Sequence, residues 1–365
     1  MIQWAPPSFE KEEIESVSRV LKSKWLTQGK ITDEFEKKIS QYVGAKHCVM
    51  VNNGTSALIC SLLSHNIKPG DEVIVPSFTF VATVNAVLSI GAKPILVDSN
   101  PLTFNTEIDL IKPHITKKTK AIIPVDVSGM PVDIKKFREF SQSNNLILIE
   151  DAAEGIGAEF ENKKIGSFGH STIFSFHMAK VITSVEGGCI VTNDKNIAEK
   201  LKLIRSHGSK VPYDSKSFGL NFRISELHSS IGLAQIKKIK NFLKHRNLIA
   251  KIYREEIKNY DFQHIPDYVT LHPYMLFGML THPKDRDRIN KILNKSHIET
   301  RVCWPPVHMQ QYHSKIFKTK KFKNAEEIYS RIINLPMGNG LDLSDVMCVV
   351  DIMKKVKNKF NSYAD

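Results

Sequence analysis

A lysine, an aspartate and a hydroxyl-rich glycine turn are the residues of this chain whose types and positions could do chemistry together. Lys180 stands within FSFHMAKVITSVEGG, Phe174 to Gly188, between a dense apolar run and a Glu-Gly-Gly. Asp151 closes NLILIED, a run apolar enough to be buried on both faces, where an unpaired charge is costly and a carboxylate wants a cationic partner. Gly54, Thr55 and Ser56 follow HCVMV in NNGTSAL and open a helical pattern. Free backbone N–H groups, two hydroxyls and the positive helix end make a phosphate cradle there. Each feature also has a plainer reading. Thr or Ser at a helix start is an ordinary cap, Asp151 with Glu154 fits an Asp-x-x-Glu capping box, and a lysine past a strand end is commonly just solvated.

Together the three match one chemistry, that of pyridoxal 5'-phosphate. The lysine amine forms a Schiff base, the buried carboxylate keeps the pyridine nitrogen protonated, and the cradle anchors the phosphate. Neither a Walker A lysine nor Gly-x-Gly-x-x-Gly follows the cradle, which argues against nucleoside triphosphates and dinucleotides.

The elements that must position these residues are legible as an alternation. From about Ala45 to Thr192, HCVMV, DEVIVP, KPILVD, KAIIPVD, NLILIED, STIFSF and GCIVTN read as short strands. Helical patterns separate them, at Ser56 to His65, Thr79 to Ile90 and Ile134 to Ser143. This predicts an α/β fold with a large, mainly parallel sheet, which binds ligands beyond the carboxyl ends of its strands. A long helix after Ile224 leaves that domain. Beyond about Lys258, YMLFGMLTH, DRDRINKILNKS and HIETRVCW predict a smaller α+β domain of shorter strands and helices. The expected division is 1–257 and 258–365, with no flexible linker and the two parts packed firmly together.

Composition narrows the class. The 365 residues are 42% hydrophobic, ordinary for a soluble globular protein. Five cysteines lie far apart with no metal-ligand spacing, so reduced thiols, a cytoplasmic location and no metal are expected. No apolar run reaches the ~18 residues of a membrane span. The net charge of +13 comes from 51 basic residues scattered among 38 acidic ones. That dispersion, including KIFKTKKFKNAEE, reads as solvated surface and a field suited to an anionic small substrate, not as a nucleic-acid site.

Nearly the whole chain resembles one family, the DegT/DnrJ/EryC1/StrS sugar aminotransferases. The resemblance runs through WLTQGKITDEFEKKISQYVGAKHCVMVNNGTSAL, GDEVIVPSFTFVATVNAVLSIGAKPILVD, LILIEDAAEGIGAEF, FSFHMAKVITSVEGGCIVTND, GLNFRISELHSSIGLAQIKKI and RVCWPPVHMQQ. It implies the aspartate aminotransferase type of fold (fold type I) and pyridoxal 5'-phosphate bound to Lys180, with Asp151 on the pyridine nitrogen. Thr55, Ser56 and Ser175 would bind the phosphate beside Gly54, and Phe80 would stack on the ring. Phe80 could equally be a core residue of the Thr79 to Ile90 helix. Glu154 stands where relatives often carry Gln or His near the phenolic oxygen, so its role stays open. In GLNFR, Asn221 resembles a residue donated across a homodimer interface to the neighbouring phosphate, and Arg223 one that meets the amino donor's carboxylate. A turn Asn and a surface Arg are the alternatives. Trp25, Thr27 and His308 lie in segments that resemble substrate loops, with structural roles as the alternative.

The resemblance further implies amino transfer from L-glutamate to a nucleotide-linked keto-sugar. Relatives that dehydrate the sugar carry His in place of the lysine, and KVITSVEGG is similar to the Lys-x-Ile-Thr-x-x-Glu-Gly-Gly form of enzymes acting on 4-keto sugars. A 3-keto substrate, a catalytically idle relative that only holds the cofactor, and a basic nucleic-acid-binding protein are the competing readings. Gly187 and Gly188 are expected to let the chain re-enter the sheet without crowding the cofactor.

Overall fold

Runs of Val and Ile too short for helices, and apolar throughout, form strands covered on both faces. The computed structural model describes residues 1–361 apart from residues 212 and 319. Its main sheet has seven strands: β1 (His47–Val51), β2 (Glu72–Pro76), β3 (Lys93–Val97), β4 (Thr119–Ile122), β5 (Ile147–Asp151), β6 (Ser171–Ser175) and β7 (Gly188–Thr192). They are ordered β1-β7-β6-β5-β4-β2-β3. The pairs β2–β3, β2–β4, β4–β5 and β5–β6 are parallel, and β7 runs against both of its neighbours.

Side-chain alternation sends each strand into two cores. On one face Met50, Ile74, Ile122, Leu148 and Phe174 meet α2 (Lys30–Val43), α5 (Ile134–Ser143) and the 31-residue α7 (Glu226–Glu256). On the other Val49, Val73, Ile149 and Ile173 meet α3 (Gly54–Ser64), α4 (Ala82–Ser89) and α6 (Lys195–Arg205). The helix α1 (Lys11–Ser23) packs on α7, and Gly232 of α7 lets Phe35 approach so closely that a Cβ there would lie 2.4 Å from the ring.

The C-terminal part has an antiparallel sheet, β8 (Asp261–Phe262), β9 (Phe277–Leu280) and β10 (Ile332–Leu335), with helices α8 (Arg286–Lys295), α9 (Lys323–Arg331) and α10 (Leu343–Asn361). Its own core draws on Ile249, Ala250, Tyr253 and Ile257 at the end of α7. HIETRVCW supplies no strand, only single bridges from Ile298 to Ile2 and from Arg301 to Asn334. Met275, Leu276 and Cys303 join one core of the main sheet, and Leu280, Ala325 and Ile328 the other. We propose residue 257 as the division between the two parts; residues 362–365 of the second lie outside the described residues. Among the described residues no helix is long and apolar enough to cross a membrane, and no His/Cys/Asp/Glu group is arranged to hold a metal.

Candidate active site

A cavity of about 480 Å³ lies beyond the carboxyl ends of β1, β2, β4, β5 and β6. Lys180, Asp151 and Glu154 all line it. Alternation along β5 decides which carboxylate reaches it: Glu150 turns to the α2/α5/α7 face, where the Thr172 hydroxyl donates to it at 2.7 Å, and Asp151 turns to the cavity. Thr83 of α4 donates to Asp151 Oδ2 at 2.7 Å and the Ala153 N–H to Oδ1 at 3.2 Å. Burial pushes the Asp151 carboxyl up to about 6, against the pull of those two hydrogen bonds and of the Lys180 charge. On the other face burial drives Glu150 up to about 7, and burial followed by the Glu150 charge drives Asp126 well above its ordinary range.

The lysine sits on a tight loop between β6 and β7. The Lys180 N–H donates to the His177 carbonyl at 2.9 Å and the Ser184 N–H to the Phe176 carbonyl at 2.9 Å. The Thr183 hydroxyl staples the same loop by donating to the Phe176 carbonyl at 3.2 Å. Inside the cavity Lys180 Nζ meets Glu154 Oε1 at 3.3 Å, and Glu154 Oε2 accepts the Ser128 N–H at 2.9 Å. Glu154 is therefore the ion-pair partner of the lysine.

The cradle is capped by a residue the sequence reading passed over. Asn53 Oδ1 accepts the Ser56 N–H at 2.8 Å, so neither Thr55 nor Ser56 serves as the cap. Thr55 and Ser175 line the cavity with Gly54, whereas Ser56 is buried just behind it. A Cβ on Gly54 would lie 3.1 Å from Ser175 Cβ, closer than the two comfortably pack. Gly54→Ala is thus expected to push Ser175 off the helix end and weaken cofactor binding by about tenfold, the value of one charge-assisted hydrogen bond. Absorbance titration of the cofactor-free variant checks this; affinity unchanged within twofold would count against the cradle.

The glycine pair stands against backbone and loop atoms on both sides. A Cβ on Gly188 would come within 2.6 Å of the Asn53 carbonyl, and one on Gly187 within 2.2 Å of Ser184 Oγ. The pair makes room for the turn at 52–54 and for the lysine loop itself.

Phe80 precedes α4, lines the cavity, is half exposed and stands 5.2 Å from the Trp304 ring at 59°. It is not a core residue of that helix. Asn221, Arg223, Thr27 and Trp25 are not brought to the cavity within the one chain. Asn221 and Thr27 are exposed and Arg223 is half-buried; the Phe222 carbonyl accepts the Asn52 N–H at 2.9 Å, which sets that segment against the cradle turn. His308 is also absent from the lining. It is buried with Nδ1 2.6 Å from Ser77 Oγ and Nε2 3.1 Å from Glu326 Oε1.

Thr83, Ser128, His177, Glu186, Trp4 and Trp304 are site residues that sequence reasoning missed. Thr83 had a signal, since it lies in the helix after SFTF. Trp304 lies in RVCWPPVHMQQ, one of the resembling segments, whereas Trp4 arrives from the other end of the chain and had no signal.

The residues fit pyridoxal 5'-phosphate: an amine and a buried carboxyl share one cavity with a glycine-backed helix end. Such a site on a mainly parallel sheet with a small C-terminal part defines a fold type I pyridoxal-phosphate enzyme. The chain belongs to the DegT/DnrJ/EryC1/StrS aminotransferase family, whose profile matches residues 7–354. It is 35% identical over 364 residues to GDP-perosamine synthase of Caulobacter vibrioides, covering 97% of this chain and 98% of that protein. It is 33% identical over 349 residues to dTDP-3-amino-3,6-dideoxy-alpha-D-galactopyranose transaminase of Aneurinibacillus thermoaerophilus, covering 95% and 96%. Among solved structures, Helicobacter pylori PseC, an aminotransferase involved in the biosynthesis of pseudoaminic acid, superposes with a TM-score of 0.90 at 32% identity, covering 97% of this chain and 98% of that one. The chain is a nucleotide-sugar aminotransferase with pyridoxal 5'-phosphate as cofactor.

Proposed function

We propose that this enzyme moves the amino group of L-glutamate to C4 of a nucleotide-linked 4-keto-6-deoxysugar, in the cytoplasm, to make an aminosugar for a surface polysaccharide or glycan. The observation that carries the reading is Lys180 Nζ, held 3.3 Å from Glu154 in the cavity that Asp151 also lines. A lysine at this place supports amination over dehydration, and the Lys-x-Ile-Thr-x-x-Glu-Gly-Gly loop supports C4.

Bound pyridoxal 5'-phosphate supplies an electron sink for the pair left when the α-C–H bond of glutamate breaks. The chain's residues do the rest. Lys180 would hold the cofactor, and its Nζ would take the glutamate α-proton and, in the second half of the reaction, deliver a proton to the sugar carbon. Asp151 pairs with the pyridine N–H, held in place by Thr83. Gly54, Thr55, Ser56 and Ser175 hold the phosphate, Phe80 covers the ring, and Glu154 aims the lysine. Arg223 takes the donor's carboxylate, and Trp25 and Thr27 meet the sugar nucleotide. His308 acts through the Ser77 loop that leads to Phe80. Asn221 reaches the phosphate of a second copy, so the working form is a homodimer with shared sites. Exposed Trp25, Leu26, Val211 and Phe218 around these segments support such an interface.

The test presents glutamate-treated enzyme with nucleotide-linked 3-keto- and 4-keto-6-deoxysugars while the cofactor absorbance is followed. The expected result is return of the absorbance with a 4-keto sugar. Return with 3-keto sugars alone would refute the C4 assignment, and return with none would refute the sugar acceptor.

A further inference from the structure

The lysine is held from two sides by one closed chain of hydrogen bonds. From its head, Lys180 Nζ meets Glu154 Oε1 at 3.3 Å, the Ser128 N–H meets Glu154 Oε2 at 2.9 Å, and the Met275 N–H meets the Ser128 carbonyl at 3.0 Å. From its backbone, the carbonyl of the next residue, Val181, accepts from Asn339 Nδ2 at 2.7 Å. Arg246 of α7 joins the ends: its Nε donates to Asn339 Oδ1 at 2.7 Å, and its Nη1 to the Tyr274 and Met275 carbonyls at 2.9 and 3.4 Å.

Arg246 is 1% exposed, and its partners here are an amide oxygen and two carbonyls with no carboxylate among them. A buried cation without a counter-ion is expensive, and burial pushes the Arg246 guanidinium down to about 9. An apolar side chain of similar volume would fill the space but leave the Asn339 amide oxygen and the Tyr274 carbonyl without this donor. What Arg246 does supply is one rigid fork tying the strand lead-in at 274–275 to the loop at 339, and so the carboxylate partner of the lysine to the lysine's own backbone.

We propose that Arg246 and Asn339 are positioning residues for Lys180, fixing its backbone relative to Glu154 and hence the place where its amine stands. The inference rests on Lys180 being the Schiff-base lysine. Asn339 is half-buried at a loop, so its variants are the ones expected to fold. Asn339→Asp keeps an acceptor for Arg246 and loses the donor to Val181; Asn339→Ala loses both.

The experiment has two readouts. In cofactor-free protein, limited acylation with acetic anhydride followed by peptide mapping measures Lys180 reactivity across pH, against a surface lysine of the same sample. In loaded enzyme, kcat and KM are measured for the amino-transfer reaction. The expected result is a change of at least about threefold in relative Lys180 labelling for both variants, with kcat lowered about tenfold, KM within about twofold, and Asn339→Ala more affected than Asn339→Asp. Labelling and kcat both within twofold of the parent, with only thermal stability lowered, would overturn the positioning role. Borohydride trapping on the parent keeps the two ideas apart: cofactor on another lysine removes the underlying reading, whereas cofactor on Lys180 with unaltered variants removes only this inference.

Discussion

Lys180→Ala is expected to lower kcat for amino transfer by at least about 10⁴-fold, because in the proposed reaction one amine serves as both covalent tether and proton carrier. The variant should still bind the cofactor, since the cradle and Asp151 are untouched. If sites are shared, mixing Lys180→Ala chains with Asn221→Ala chains should restore part of the activity, as each mixed dimer contains one site with both residues intact. Activity is measured after verified subunit exchange. No recovery despite mixed dimers would contradict the sharing of sites between two chains.

Asp151→Asn is expected to act with opposite signs on activity and stability. Loss of the charge proposed to face the pyridine nitrogen should cost about 10²- to 10³-fold in kcat, the scale of a preorganised electrostatic contact. In cofactor-free protein the same charge is a burden. The ordinary value of 3.8 is raised to about 6 by burial, so the stability that Asp151 contributes is complete below 3.8 and is lost as pH rises through 6. Asn does not ionise, so between about pH 4 and 6 the Tm of the cofactor-free variant should fall less than that of the parent. Part of the slope should persist in both, because Glu150 is held up to about 7 by the same cause. Equal slopes in thermal melts of parent and variant would contradict the assignment.

The strand alternation, the parallel sheet and the lysine, aspartate and glycine turn were readable because each rests on short-range pattern: period-two apolar runs, a strand end, a helix start. Ile134 to Ser143 is a helix over the very residues the periodicity marks. Two kinds of feature were not readable. The pairing of Phe277–Leu280 with Ile332–Leu335 spans more than fifty residues, whereas HIETRVCW, expected among the same strands and helices, makes only single bridges to Ile2 and Asn334. Pairing, not propensity, decides such segments. The other kind is the partner of a polar group. Glu154 reads as a cap residue or a neighbour of the phenolic oxygen, yet Ser128, with φ of 64°, turns its N–H onto one oxygen while Lys180 takes the other. His308 lies in a segment that resembles a substrate loop, with a structural role as the alternative, and Ser77 and Glu326 engage both of its ring nitrogens. In each case the deciding contact comes from a residue far away in the chain, which spacing does not encode.

The most direct measurement is borohydride reduction of the purified enzyme with its cofactor, followed by peptide mapping. A single phosphopyridoxyl group on Lys180 is the result expected from an amine and an aspartate lining one cavity. The same group on any other lysine, with Lys180 unmodified, would contradict the account at its base.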